Sequence, residues 1–415
     1  MIIPSIDLRG GKAVQLRQGR DLMITSQENP IELARRFNRF GPVAVVDLDA
    51  AMGKKHNRYL IEHICRVADV RVGGGIRDVE TGLDFLRAGA QSIIIGTNAD
   101  PELLKQFPKN RVIVALDHRN GIVVDRGWTQ ATTETPEERA QRLTPYCNGF
   151  LCTFVQQEGC MTGLPTEEAL RLQKALPHPV TFAGGVATTE EAVALCKMGL
   201  DVQVGMALYS GKLDLAQTIV GSVNFEKGMG IVPTIVQEES TGQVLMLAYS
   251  SPDSLKKSLK EGKGIYFSRS RGELWEKGAT SGHVQELVSC RIDCDRDTLL
   301  FTVRQQGPAC HTGSHSCFNS QSRFSVDRLV HTLQERLHQE SEGSYAKKLL
   351  NNPEFLLRKI MEEAFELTRA KTRQDIRWEA TDLVFHLLVK LVQEDLCWTD
   401  ILSELASRET LRRKE

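Results

Sequence analysis

Residues 70–78 read VRVGGGIRD, and 110 positions later residues 180–188 read VTFAGGVAT. Each is a short apolar run that breaks on paired glycines just before an amphipathic stretch, such as DVETGLDFLRAG at 78–89. Similar runs occur at VAVVDL (43–48), SIIIG (92–96), RVIVALD (111–117) and FLCTF (150–154). Strands separated by helical patterns predict repeated βα units around a parallel sheet. Eight units in about 220 residues predict a (β/α)8, or TIM, barrel. The 110-residue shift also places Asp7 on Asp117, Gly11 on Gly121, Gly74 and Gly75 on Gly184 and Gly185, and Gly89 on Gly199. A shift of 109 places Gly96 on Gly205. The barrel is expected to be two half-barrels in tandem.

Barrel enzymes act at the carboxyl ends of their strands, where Asp7 and Asp117 are expected to end an apolar strand on opposite sides of the mouth. One carboxylate can then remove a proton from carbon while the other, kept protonated, donates to oxygen. The turns carrying Gly74, Gly75, Gly96 and Thr97, and those carrying Gly184, Gly185 and Gly205, leave backbone N–H groups near helix starts, which suits phosphate. Two sets imply two phosphates on a long substrate. The segments MIIPSIDLRGGKAVQL, VVDLDAAMGK, VGGGIRD, IIGTNA, ALDHRNG, RGW, AGGV and ALYSGK resemble the ProFAR isomerases of histidine biosynthesis, across about residues 1–220. That resemblance implies an Amadori rearrangement of an aminoaldose, with Asp7 as base, Asp117 as the acid that opens the ribose ring, and Thr153 assisting from a strand facing them. One loop departs from the family pattern TDxxRDGT, because TFVQQEGC at 153–160 puts Phe154, Gln157, Glu158 and Cys160 in place of Asp, Arg, Asp and Thr.

The remaining chain changes character. The 415 residues exceed one ordinary core and predict two or three domains. GSVNFEKGMG (221–230) is the expected linker. The expected domains are a barrel at 1–222, a small β-rich α+β domain at 228–320, and an all-α helical domain at 325–410, with breaks at Gly343 and Asn351-Asn352-Pro353. A net charge of -1, with basic pairs such as Arg269/Arg271 and Arg412/Arg413 scattered, gives no support for nucleic-acid or membrane binding. No apolar run approaches the ~20 residues a membrane helix needs, and no basic region with a following apolar stretch opens the chain, so a cytoplasmic enzyme is expected.

In the second domain, CHTGSHSC (310–317) follows DCDRD (293–297). Read as a strand, DCDRD would place Asp293, Asp295 and Asp297 on one face and Cys294 on the other. Carboxylates suit Mg²⁺ and thiolates suit Zn²⁺, so two metals on two faces are expected; a solvated acidic turn is the alternative. Cys294, Cys310 and Cys317 as three ligands would leave a zinc position open to water, whose pKa falls to about 7, whereas a closed knot would recruit His311 or His315. GIVPTIVQEESTGQVLMLAY, FSRSRGELWEKGATSG, DCDRD and GPACHTGSHSCF are very similar to phosphoribosyl-AMP cyclohydrolase. The resemblance implies Zn²⁺ on Cys294, Cys310 and Cys317, and Mg²⁺ on Asp293, Asp295 and Asp297. It further implies hydrolytic opening of the adenine ring, with His311 as a proton shuttle. Arg269, Arg271, Lys277 and Ser281 become substrate-binding candidates, and the metal site is expected to be shared in a homodimer.

Toward the carboxyl terminus, Glu362, Glu363 and Glu366 adjoin on one helix, and Glu379 with Asp382 begin a second set twelve residues after Glu366. Two antiparallel helices would form a Mg²⁺ cage beside Ile360, Ala364, Leu383, Val384 and Leu387, where unpaired acids are costly to bury. SYAKKLLNN, KIMEEAFE and EATDLVFHLLVKL resemble the phosphoribosyl-ATP pyrophosphohydrolase branch of the all-α nucleotide pyrophosphohydrolases, over about 325–400. That implies Mg²⁺ on all five acids and cleavage between the α and β phosphates. Together the resemblances imply three consecutive steps of histidine biosynthesis on phosphoribosyl nucleotide substrates, with a homodimer through the second and third domains. Two alternatives stay open: a bifunctional hydrolase with an inactive or altered barrel, and a zinc-dependent interaction module fused to a generic nucleotide pyrophosphohydrolase.

Overall fold

A computed structural model describes residues 1–54, 56–318, 324–338, 344–396, 398, 400–402, 404–405 and 408. The chain divides into two compact units, the first chiefly residues 1–321 and the second chiefly 322–406. The expected boundaries at 320 and 410 and the break at Gly343 lie outside the described residues.

The first unit opens with eight parallel strands: β1 (Ile2–Arg9), β2 (Val43–Asp47), β3 (Val70–Gly73), β4 (Ser92–Ile95), β5 (Val112–Ala115), β6 (Gly149–Thr153), β7 (Val180–Ala183) and β8 (Asp201–Val204). Each pairs with its sequence neighbour, and Ile2–Pro4 of β1 pair with Val202–Val204 of β8, which closes the barrel. Outward residues such as Val70, Val72, Val112, Val114 and Phe182 are fully buried under the helices. The interior carries a smaller apolar layer of Ile94, Ala115, Leu151 and Ala183.

The tandem repeat is physical. Gly74 and Gly184 share positive φ, 92° and 97°, and a Cβ on either would lie 2.4 Å from Asp47 O or 2.6 Å from Phe154 O at the end of the preceding strand. Only glycine lets those turns pass so close to the neighbouring backbone.

One expectation needs correction. Asp7 does not end its strand, because β1 runs on to Arg9 and turns back antiparallel to Lys12–Arg17. Asp117 lies two residues beyond β5.

The second part of this unit is a four-stranded sheet, Val244–Ser250, Val232–Glu238, Leu299–Gln305 and Gln285–Ile292 in spatial order. A helix, Pro252–Glu261, interrupts the β-rich pattern. It is started by a Ser251/Ser254 capping box and stopped by Gly262 at φ 70°. The sheet docks on the barrel: Cys290 N donates to Arg39 O at 2.9 Å, and Arg291 pairs with Asp69 at 2.7 Å. One buried core runs through both parts.

The helical unit contains Val326–His338, Tyr345–Leu350, Pro353–Arg369 and Arg373–Gln393. Asn352 caps the helix that begins at Pro353, and Thr372 with Asp375 forms a capping box at the next. Leu349, Leu356, Leu388 and Val389 are almost fully buried at its centre, each worth about 1.5–3 kcal/mol.

Candidate functional sites

A cavity of about 870 Å³ opens at the carboxyl ends of the barrel strands and is lined by Asp7, Asp117, Thr153 and all the glycines expected to meet phosphate, together with Thr97. β1 and β5 stand half-way round the eight-stranded circle from each other, so the two aspartates face across the mouth. Gly74, Gly75 and Gly96 follow β3 and β4, and Gly184, Gly185 and Gly205 follow β7 and β8, again on opposite sides.

Burial raises the Asp7 carboxyl to about 6, against a counteracting 2.8 Å hydrogen bond from Ser5 Oγ. Burial likewise raises Asp117, despite hydrogen bonds from Thr153 and from Trp128 Nε1 at 2.7 Å. Thr153 sits at the end of β6, the strand next to Asp117 and not one facing both aspartates. Strand order in a singly wound barrel dictates this, since consecutive strands are neighbours.

The departing loop supplies a carboxyl to the cavity. Glu158 lines the cavity, and burial, reinforced by the Asp7 charge, raises its carboxyl to about 8. Its Oε2 accepts from Gly19 N at 3.3 Å, and its carbonyl accepts from Gln18 N at 3.0 Å. The loop is thus stapled to the turn after Lys12–Arg17, while Trp128 packs over Gly19. Arg20, Arg77 and Arg126 also line the cavity and went unnoticed in the sequence. Nothing in one chain's local pattern marks them, because they arrive from separate loops.

In the β-rich part, residues 293–297 form the turn between Gln285–Ile292 and Leu299–Gln305, not a strand. The carboxylates converge because the turn folds back: Asp293 Oδ1 accepts from Asp297 N at 3.0 Å and Thr298 N at 3.1 Å, and Arg296 takes φ 65°. Asp293, Asp295 and Asp297 bring ligand oxygens within 4.8 Å of one another, a donor set that fits Mg²⁺. Lys227 of the linker reaches into this cluster and pairs with Asp295 and Asp297.

Cys310 and Cys317 lie in contact on a loop held by Cys317 N donating to Leu245 O at 2.8 Å. The Thr312 hydroxyl, 3.2 Å from the sulfur, lowers the Cys310 thiol, while burial raises Cys317. Among the described residues, Cys294, Cys310 and Cys317 do not form a set of three whose sulfurs all lie within 4.8 Å of one another. A pair of soft sulfur donors with positions to fill fits Zn²⁺.

Lys277 is 9 % exposed beside the two thiols, which offset part of the downward shift that burial imposes on it. His311 Nδ1 lies 3.9 Å from Cys310 Sγ. Arg269 stacks over Tyr249 at 3.8 Å, Arg271 reaches Ser268 and Glu273, and Ser281 Oγ accepts from His283 N. Those last three stand on or beside the Ile265–Ser268/Glu273–Glu276 hairpin.

In the helical unit, the short 370–372 connection sets Pro353–Arg369 against Arg373–Gln393. Glu362, Glu363 and Glu366 form one acidic group, and Glu363, Glu379 and Asp382 a second. All five expected ligands are therefore brought together, with Glu363 common to both groups. Glu363 is buried at 6 % exposure, while Glu362, Glu366 and Asp382 are exposed. Lys359 pairs with Glu362 at 2.9 Å and with Glu363 at 3.0 Å. Burial and the Glu366 charge raise the Glu379 carboxyl. Five carboxylates gathered in two groups that share Glu363 are a donor set that fits Mg²⁺.

Comparison with known proteins accords with this three-part geometry. The family model described as histidine biosynthesis protein matches residues 1–214, phosphoribosyl-AMP cyclohydrolase matches 246–319, and phosphoribosyl-ATP pyrophosphohydrolase matches 326–409. The histidine biosynthesis bifunctional protein HisIE of Thermus thermophilus is 40% identical over 200 residues, covering 46% of this chain and 93% of the relative. The bifunctional HisIE of Pyrococcus furiosus is 39% identical over 205 residues, 46% of this chain and 98% of the relative. The histidine biosynthesis trifunctional protein of Kluyveromyces lactis is 40% identical over 193 residues, 46% of this chain and 24% of that longer protein. The chain therefore belongs to the histidine biosynthesis protein family, and carries behind its barrel a phosphoribosyl-AMP cyclohydrolase domain and a phosphoribosyl-ATP pyrophosphohydrolase domain.

Proposed function

We propose that the chain performs three consecutive reactions. The helical domain converts phosphoribosyl-ATP to phosphoribosyl-AMP and pyrophosphate, the β-rich domain opens the purine ring to give ProFAR, and the barrel isomerises ProFAR to its ribulosyl form. The observation that carries the isomerase assignment is the cavity itself, where opposed carboxyls lie between two opposed glycine sets. Asp7 is half ionised near pH 6 and serves as the base at carbon. Asp117, raised by burial and held by Trp128 and Thr153, donates to the ribose oxygen. Glu158 keeps a proton at neutral pH and is a second donor on the same cavity wall.

When bound, Zn²⁺ on Cys294, Cys310 and Cys317 would activate water, and Mg²⁺ on the two acidic sites would neutralise phosphate charge. Lys277 contributes a fixed positive charge beside the sulfurs, and His311 a proton carrier at the exposed rim. That Cys294 does not complete a close set of three with Cys310 and Cys317 among the described residues supports a zinc site completed by a second copy. Leu357, Met361 and Phe365, exposed at 59%, 65% and 60% and spaced four apart on one helix face, support a homodimer through the helical domain as well. Free thiols as metal ligands suit a cytoplasmic setting. No helix among the described residues is long and apolar enough to cross a membrane.

The test is to supply phosphoribosyl-ATP to the full-length protein and follow products, with Cys310→Ala alongside. The wild type is expected to reach the ribulosyl product and the variant to accumulate phosphoribosyl-AMP. Full conversion by the variant would remove Cys310 from the chemistry, and accumulation of ProFAR by the wild type would leave the barrel without isomerase activity.

A further inference from the structure

One buried histidine of the helical domain has no part in the roles assigned above. His386 is 3 % exposed, and its Nε2 lies 2.9 Å from the Tyr345 hydroxyl. At the other edge of the ring, Nδ1 is buried, has no hydrogen-bond partner among the described residues, and lies 4.0 Å from Oε1 of Glu363. Glu363 is the buried carboxylate shared by both acidic groups. An orphaned ring nitrogen facing the one acid common to two ligand sets is costly unless it has work to do.

The tautomer follows from the partners. A tyrosine hydroxyl can donate to Nε2, which leaves the imidazole proton on Nδ1, directed at a carboxylate. The reverse arrangement would aim the Nδ1 lone pair at negative charge. At 4.0 Å the contact is too long for a hydrogen bond. The oxygen concerned is also the one that Lys359 contacts at 3.0 Å. When a divalent cation displaces the lysine, that oxygen becomes free to turn onto Nδ1–H.

We propose that His386, keyed by Tyr345, is a positioning residue for Glu363: it holds one carboxylate oxygen so that the other is presented to the cation between the two helices. Ring N–H groups and carboxylates in such outer positions fix ligand orientation, and their loss weakens metal affinity about 10- to 100-fold. The inference rests on reading this domain as a Mg²⁺-dependent pyrophosphohydrolase.

Mn²⁺ affinity, measured by electron paramagnetic resonance, tests it in the full chain with Asp295→Asn and Asp297→Asn silencing the other acidic site. Asparagine places its amide nitrogen where Nδ1 lies, and glutamine places it where Nε2 lies. His386→Asn is therefore expected to bind Mn²⁺ nearly as well as the His386 chain, and His386→Gln and His386→Ala about tenfold or more weakly. A role confined to anchoring Tyr345 would reverse the order of Asn and Gln, and that result, or equal affinity in all three, overturns the proposal. Should the His386 variants unfold, Tyr345→Phe decides: several-fold weaker binding is expected, and unchanged affinity overturns it. Absence of Mn²⁺ binding to the His386 chain would overturn the pyrophosphohydrolase reading along with the inference.

Discussion

Arg71 and Thr181 meet inside the barrel, the guanidinium donating to the hydroxyl oxygen at 3.1 Å. They stand on β3 and β7, on opposite sides of the circle, and are 110 residues apart, the shift of the internal repeat. The two half-barrels are thus tied by equivalent positions that have diverged into donor and acceptor. Burial lowers the Arg71 pKa, so the guanidinium depends on its partners. Thr181→Val is expected to cost about 1–3 kcal/mol by stranding it, and adding Arg71→Met is expected to recover most of that loss. Urea unfolding of the four chains of this cycle checks it, and additive effects would show that the contact carries no coupling.

The cavity carboxyls predict a bell-shaped pH profile for isomerisation. Asp7 must lose its proton to act as base, so kcat/KM is expected to rise as pH passes about 6. Glu158 holds its proton to about 8, and activity is expected to fall as pH passes that value. Glu158→Gln keeps the neutral form at every pH and should push the alkaline limb upward. An alkaline limb that stays in place would assign it to Asp117 alone.

Asp7 also predicts a trade of stability for function. Its ordinary value of 3.8 rises to about 6 in the fold, so the folded state binds more protons than the unfolded state between those values. The stability linked to this group is fully present below pH 4 and is lost as pH rises through 6. Asp7→Asn, neutral throughout, is expected to stabilise the chain at pH 7.5 by about 2 kcal/mol while abolishing isomerisation. Denaturant midpoints at pH 4 and pH 7.5 test this, because the gain must shrink at the lower pH.

Much of this was written in the sequence, and for local reasons. Strand periodicity and the 110-residue recurrence of Asp7/Asp117 and Gly74/Gly184 follow from backbone constraints that one chain displays in full. The five acids of the helical domain were legible because helix spacing fixes which side chains adjoin. DCDRD was misread, because alternation implies a strand only where a ladder exists, and at 293–297 the chain turns instead. The departing TFVQQEGC loop gives no hint that Glu158 lines the cavity, since a departure from a motif says nothing of where the new carboxyl points. Thr153 is expected on a strand facing both aspartates and stands beside Asp117 instead, which strand order decides and residue type does not.

Cys294 predicts complementation between subunits. Cys310 and Cys317 adjoin, but Cys294 does not complete a close set of three with them among the described residues. If a second copy supplies it, Cys294→Ala and Cys310→Ala chains should each lack cyclohydrolase activity alone. Unfolded together and refolded, they should regain about a quarter of wild-type turnover, as half the dimers are mixed and each keeps one intact site. No recovery on mixing would place all three ligands in one chain.

The linker lysine predicts competition at the DCDRD turn. Lys227 pairs with both Asp295 and Asp297, and the linker is further fastened by Asn224 N donating to Arg296 O at 2.7 Å. A divalent cation bound by those aspartates must displace the ammonium, so the lysine lowers apparent affinity by whatever its own pairing is worth. Lys227 and Asp295 are exposed and Asp297 is partly so, which leaves the pairing weak and open to screening by solvent and salt. Lys227→Met is therefore expected to bind Mn²⁺ at this site roughly threefold to tenfold more tightly, and the advantage should shrink as salt screens the pairing. The measurement is a Mn²⁺ titration of the full chain with Glu363→Gln and Glu379→Gln suppressing the helical site. Proteolysis between 223 and 230 should also quicken when Mn²⁺ is added to the Lys227 chain, since release of the lysine loosens the linker. Unaltered affinity in Lys227→Met would show that the contact is only a surface ion pair with no bearing on the metal.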